Sequence, residues 1–422
     1  MNRSRLSLQQ FLVHAVWIIL FVRVAGAQTD DKMIYLNRAD SLVGLVINGE
    51  QARKAIGDVK FTHGKTVVTC NQAIQYFKSN KITLEGEVVV TEDSMTMSAQ
   101  HGVYYGDTRT SEGSGRVRLD DRKMILYADY GIYYSIDRKA YFRENVRLYD
   151  SSSVLTSDEL WYYRDDQKTI AESNVVIVNA ENHVTLSGQH FENYRKIQYS
   201  LMLDHPRSTH VDTTGATTDS LVIVSDTMET YQQVPERLLA TGHVLMHRND
   251  IYAQAGNGVF YTKLDSIELR GSPFVWQTQT NGITTQTSGD SMFIKLEKRK
   301  LRMMYVHGHA FSISEADSLL RSRYHQISGQ DMTMMFSNNK VDKMVVDRTA
   351  TILYYLFDDK TPNGLNNTTG DHVTITFAGG KVDKLKVMGG VEGKYVPERL
   401  VTGRELDYNL AGFNWKPKPL FK

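Results

Sequence analysis

The sequence predicts an all-β protein, elongated and built from repeats. Three observations carry that expectation: a motif returns every 29 residues, apolar residues alternate with period two between its copies, and strand formers abound, with 23 Tyr, 15 Phe and only 7 Pro in 422 residues. One such unit cannot bury its apolar face alone. Stacked copies make a continuous core, so roughly eleven units of two strands, at about 4.8 Å per strand, predict a rod on the order of 100 Å long.

The first 27 residues read as a signal peptide. Arg3 and Arg5 precede the apolar run Phe11 to Val22, and Ala25-Gly26-Ala27 supplies small residues for cleavage. His14 and Arg23 interrupt the run, and no later segment approaches twenty uninterrupted apolar residues, so the mature chain is expected to be soluble and exported, with a periplasmic or outer-membrane-associated location. No cysteine stands at the Ala27/Gln28 junction, which argues against a lipid-anchored N-terminus.

The units follow in order. Gly57-Asp58-Val59, Gly86-Glu87-Val88, Gly115-Arg116-Val117, Glu144-Asn145-Val146 and Ser173-Asn174-Val175 open them, and the same signal returns at Gly242-His243-Val244 and Gly271-Ser272-Pro273. Two residues after each opening valine comes another apolar residue: Phe61, Val90, Leu119, Leu148, Ile177 and Met246. After a polar turn such as Asp120-Asp121-Arg122-Lys123, a second strand alternates through Leu126, Ala128, Tyr130, Ile132 and Tyr134. A turn at Ser135 to Lys139 then leads through Ala140 and Phe142 to the next valine. The same frame gives Met97, Ala99 and Val103 one unit earlier, and Leu155 and Trp161 one unit later.

Past residue 300 the openings Gly308-His309-Ala310, Arg348-Thr349-Ala350 and Gly389-Gly390-Val391 fall 40 and 41 residues apart, which predicts insertions in the turns, with Asp359 to Asn367 as one such loop. The Thr-rich stretch His205 to Ser220 is the expected boundary between an N-terminal array, 28–204, and a C-terminal array with longer turns, 221–422. The terminal strands should expose unpaired backbone groups that invite strand addition, and Trp415-Lys416-Pro417-Lys418-Pro419 is expected to blunt one end.

Charge and cysteine content exclude other classes. The formal charge of +1 becomes −2 once Arg3, Arg5 and Arg23 are removed, which lacks the basic excess of a nucleic-acid binder. Cys70 is the single cysteine, so no intramolecular disulfide can form.

The Gly-x-Val openings, together with Ala128-Asp129-Tyr130-Gly131-Ile132-Tyr133-Tyr134, resemble the OstA-like family, which includes the periplasmic lipopolysaccharide-transport protein LptA and the N-terminal domain of its outer-membrane partner LptD. The resemblance is good over 57–200, fair over 240–300 and thin after 310. It implies a V-shaped two-sheet β-jellyroll, the OstA-like β-taco, whose apolar interior takes lipopolysaccharide acyl chains. It also implies a bridge between membranes, made with other transport components or head-to-tail copies of the chain. The chain is longer than the family's short bridge form and lacks the residues of a transmembrane barrel. The expected groove lining is Val88, Val90, Met97, Val103, Val117, Leu119, Leu126, Ile132, Val146, Leu148, Leu155, Trp161, Val175 and Ile177. Apolar alternation is equally how any sheet makes a plain core.

No catalytic constellation, metal site or cofactor is expected. Gly64-Lys65-Thr66 lacks the first glycine of a phosphate loop, since Val59 stands there; the pairs His243/His247 and His307/His309 lack further ligands; and the Asp-Asp pairs sit at turns. Two rivals to a lipid-binding bridge remain. A ligand-free structural or adhesive rod predicts a fully filled core, and a β-helix enzyme acting on polysaccharide predicts convergent acids on one face.

Overall fold

The computed structural model describes residues 33–419, apart from 213–218, 280–281, 298–299, 318–319, 321, 338–339, 360 and 379–380. The segment 1–27, read from the sequence as a signal peptide, lies outside the described residues. The first strands are β1 (Tyr35–Arg38), β2 (Ser41–Ile47), β3 (Glu50–His63), β4 (Thr66–Tyr76), β5 (Lys81–Glu92), β6 (Met95–Tyr105), β7 (Thr110–Asp120), β8 (Ile125–Tyr134), β9 (Lys139–Tyr149), β10 (Ser153–Tyr163), β11 (Lys168–Asn179) and β12 (Val184–Tyr194). Next come β13 (Tyr199–Leu203), β14 (Arg207–Asp212), β15 (Asp219–Val224), β16 (Thr227–Tyr231), β17 (Arg237–Arg248), β18 (Ile251–Tyr261), β19 (Ser266–Arg270), β20 (Phe274–Thr278), β21 (Thr284–Ser288) and β22 (Ser291–Glu297). The last are β23 (Lys300–Glu315), β24 (Tyr324–Ser337), β25 (Lys340–Asp358), β26 (Thr361–Ala378), β27 (Lys381–Met388) and β28 (Glu392–Val396), followed by the short helix α1 (Glu398–Val401). All pair antiparallel in one continuous hydrogen-bonded sheet.

The Gly-x-Val signature does not begin a strand; it bends one. At each signature two consecutive residues adopt positive φ, as in Gly86 at 74° and Glu87 at 50°, or Gly115 at 73° and Arg116 at 53°. Those two residues stand against a single residue of the neighbouring strand: Ile56 pairs with Gln72 and Val59 with Cys70, leaving Gly57 and Asp58 opposite Asn71. This is a β-bulge, and it turns the strand. Glycine is favoured at the first position because a Cβ on Gly86 would come within 2.9 Å of Asn71 Nδ2. Where Glu144 or Ser173 stands instead, the second residue compensates with a side-chain bond, Asn145 to Asp129 or Asn174 to Asp158 at 2.8 Å. Asp204 and His205, at φ 60° and 57°, form the same corner without the valine that would have revealed it.

These corners align into a spine about which the sheet folds onto itself. The proof is contact between strands that are not neighbours: His63 on β3 lies 2.7 Å from the Tyr104 hydroxyl on β6, although three strands on a flat sheet span about 14 Å. The inner faces of the two halves form the main core, from Met95 and Leu119 through Val146 and Val244 to Val346 and Val373. The expectation of an all-β, repeat-built two-sheet structure therefore holds.

Three local expectations change. The C-terminal units lengthen because their strands do: β25 has 19 residues and β26 18, against 11 for β4, β6 and β10. The stretch read as a loop, Asp359 to Asn367, is mostly strand, with Leu365 fully buried opposite Tyr355 and Gly364 at φ 98° in a bulge. On either side of the expected array boundary, β13 pairs with β16 and β14 with β15. The C-terminal tail does not blunt a sheet edge; it crosses the outer face of the long strands. Leu410 N and Lys416 N donate to Gln326 and Gln286 side chains, and Trp276 Nε1 donates to Lys416 O. Arg323, 5% exposed, anchors the tail through Glu398 and Glu405. The reason is apolar: Trp276, Phe311, Leu353 and Tyr355 on that face would otherwise meet solvent.

Candidate functional site: the space between the two sheets

Ten of the fourteen expected lining residues are buried on the inner face: Val88, Val90, Met97, Val117, Leu119, Leu126, Val146, Leu148, Leu155 and Val175. Ile177 is partly buried and packs against the same cluster. Val103, Ile132 and Trp161 face the other way. On β8 the buried residues are Leu126 and Ala128 before the bend, then Gly131 and Tyr133 after it, so the alternation slips by one at Asp129. A one-residue slip moves every later side chain to the opposite face. Trp161 accordingly lies on the outside, against Tyr141 at 4.7 Å and near Tyr134 and Tyr163.

The residues that replace them inside are tyrosines: Tyr104, Tyr133 and Tyr162, 29 residues apart and at most 6% exposed. Each reaches across the mouth of the fold to the opposite lip. Tyr104 bonds His63, the Tyr133 hydroxyl donates to Glu92 Oε1 at 3.5 Å, and the Tyr162 hydroxyl donates to Asp121 Oδ2. Each acceptor lies six residues beyond the first residue of its corner, at the end of an inward-facing row such as Val117, Leu119, Asp121. Asp121 is held by Lys123 N and Met124 N on its other oxygen, both at 3.0 Å. Burial, then the nearby Glu92 charge, pushes the Tyr133 phenol up to about 12, and burial with the Asp121 bond raises Tyr162 too, so both stay donors at neutral pH. The signal for these rungs was present as tyrosines at a 29-residue spacing; an unbroken alternation assigned them to the wrong face.

Behind the rungs the interior is filled by its own side chains, with Val117, Leu119, Leu126 and Phe142 at 0% exposure. The ladder ends at the fourth unit. There Asn193, opposite Thr169, stands where Tyr162 stands opposite Ala140, and Asp150 turns to Ser152 N and Ser153 N instead. The interior loosens with it: β12 is only partly buried from Val184 to Gly188, and Val178 is 43% exposed.

The histidines singled out by their spacing are individually paired. His243 bonds Asp226 and His309 bonds Asp290, while His247 bonds Asn249 O. His307 bonds Asp331. Among the described residues no three His, Cys, Asp or Glu side chains gather as a metal site. Burial pushes the Cys70 thiol up to about 11, which leaves little reactive thiolate. Among the described residues no helix is long and apolar enough to cross a membrane.

Residues 31–187, from just before β1 into β12, match the family model described as OstA-like protein. That part of the chain is similar to the OstA-like family. No curated protein matches the chain.

Proposed function

We propose, from the OstA-like character of residues 31–187, that this chain is a periplasmic lipid-binding bridge and not an enzyme. It shields the acyl chains of lipopolysaccharide between its two sheets on their way to the outer membrane. The observation that carries the reading is the apolar inner face that runs without a break from Met95 to Ile375. Because that face is closed on itself, loading requires the sheets to part. The energies are comparable. An acyl chain of about ten methylenes gains roughly 8 kcal/mol on leaving water, while three rungs at about 1–2 kcal/mol each oppose opening.

Open strand edges at the two ends support the bridge reading. β1 and β2 pair only with β3, and β27 and β28 only with β26, among the described residues. Leu42, Val43 and Val46 are 54%, 44% and 73% exposed at one end, and Leu385 and Tyr395 are exposed at the other. These edges suit other transport components or a second copy. The arrays 28–204 and 221–422 are retained as proposed folding units.

A ligand-free rod is the second reading, and the filled interior favours it. The two separate on one variant. Val117→Asp puts a carboxylate on the inner face, and a folded variant that no longer captures lipopolysaccharide supports the carrier. Undiminished capture, or none by the folded wild type, supports the rod. Ile132→Asp, on the outer face, should leave capture intact.

A further inference from the structure

The ladder of tyrosine rungs ends at the fourth unit, and a cavity lies beyond its end. It encloses about 350 Å³ and is lined on one lip by His210, Asp219, Leu221 and Arg248, and on the other by residues including Phe260, Ile267 and Leu296. Pairing fixes the faces. Ile223 pairs with Met246 and Phe260 with Ile267, all four buried in the main core; Leu221 and Arg248 follow two residues along the same inner rows. The cavity therefore opens between the sheets and not on their outer surface.

Two places of the repeat differ beside it. Arg248 lies six residues past Gly242, as His63 does past Gly57, so it holds the acceptor place of a rung. Ile294 pairs with Ile267 as Tyr104 pairs with Ile82, so it holds the tyrosine place. An arginine and an isoleucine make no rung. Arg248 instead lies along its own lip, with Nε 2.6 Å from Asp219 Oδ2. The mouth is left with an apolar throat, Leu221 facing Phe260, Ile267 and Leu296, under a polar rim.

We propose that this cavity is the portal through which a single unbranched acyl chain enters the inter-sheet space. The inference rests on the lipid-carrier reading and locates its entry. The volume is at the lower end of that of ligand pockets, which suits one chain and not a bulky sterol or a whole multi-chain lipid. The throat carries the apolar side chains of Leu221, Phe260, Ile267 and Leu296, and two of these, Phe260 and Ile267, belong to the main core itself. The rim keeps a polar head outside.

The test uses the full mature chain and a diazirine-bearing palmitate analogue, photolysed at increasing concentration, with adducts mapped by peptide. The proposal predicts first labelling within residues 219–224 and 258–269, and at least a tenfold drop in that labelling when Leu221→Trp fills the throat. Phe260→Ala, which widens it, should label at least as strongly as wild type and serves if the tryptophan variant does not fold. Labelling that begins around Val117 to Leu148 overturns the portal while leaving the carrier standing. No labelling of the folded protein at any concentration overturns both.

Discussion

Tyr162→Phe removes one oxygen atom and should weaken the closure of the two sheets measurably. The hydroxyl donates to Asp121 Oδ2, and both residues are nearly buried, at 6% and 8% exposure. A hydrogen bond to a charged acceptor is worth about 1.5–3 kcal/mol, and water can replace it only in part at such exposure. A double-mutant cycle with Asp121→Ala removes the separate cost of losing the turn bonds from Lys123 and Met124. The expected coupling in urea unfolding is about 2 kcal/mol. The rung His63 with Tyr104, at 2.7 Å, should give about 1 kcal/mol, and Glu92 with Tyr133, at 3.5 Å, the least of the three. A coupling near zero for Asp121 with Tyr162, or the largest coupling at Tyr133, would refute the closure described above.

Two further outcomes follow from the same geometry. Gly86→Ala should cost roughly 2–3 kcal/mol, because an L-residue at φ 74° is penalised by about 1–2 kcal/mol and its Cβ meets Asn71; Glu144→Gly, at the equivalent corner, should stabilise by about 1 kcal/mol. Both are read by denaturant midpoints. The buried phenols set an alkaline limit: Tyr133 titrates near 12 when folded and near 10 when unfolded, so its contribution is intact below pH 10 and lost as pH rises through 12, by up to about 3 kcal/mol. Unfolding followed by tyrosinate absorbance should steepen over that window in wild type and less in Tyr133→Phe.

The repeat was legible because its corners are chemically costly. A corner of two successive left-handed residues favours glycine at its first position, and that preference at fixed spacing is visible in Gly57, Gly86, Gly115 and Gly242 without any structure. The inner face up to each bend was legible for the same reason, as alternation in Val117-Leu119 or Leu126-Ala128. Beyond the bend it was not. The plain strands turn at Gln100, Asp129 and Asp158 with no glycine and no positive φ to mark the slip, so Ile132 and Trp161 were read inward and Tyr133 and Tyr162 outward. Long-range docking was equally hidden: the tail's proline-rich end looked like an edge blocker, and only the distant apolar face of Trp276 and Phe311 explains where it lies. The long strands past residue 300 appeared as turn insertions because spacing alone does not say where extra residues go.

Site-specific photo-crosslinking to lipopolysaccharide is the most direct test of the carrier. A photoreactive residue placed in turn at Leu119, Leu126 and Val146 on the inner face, and at Val103, Ile132 and Trp161 on the outer face, reads occupancy and orientation together. The account predicts adducts at the inner three and background at the outer three. Adducts at the outer three, or none at the inner three in folded protein, would contradict it.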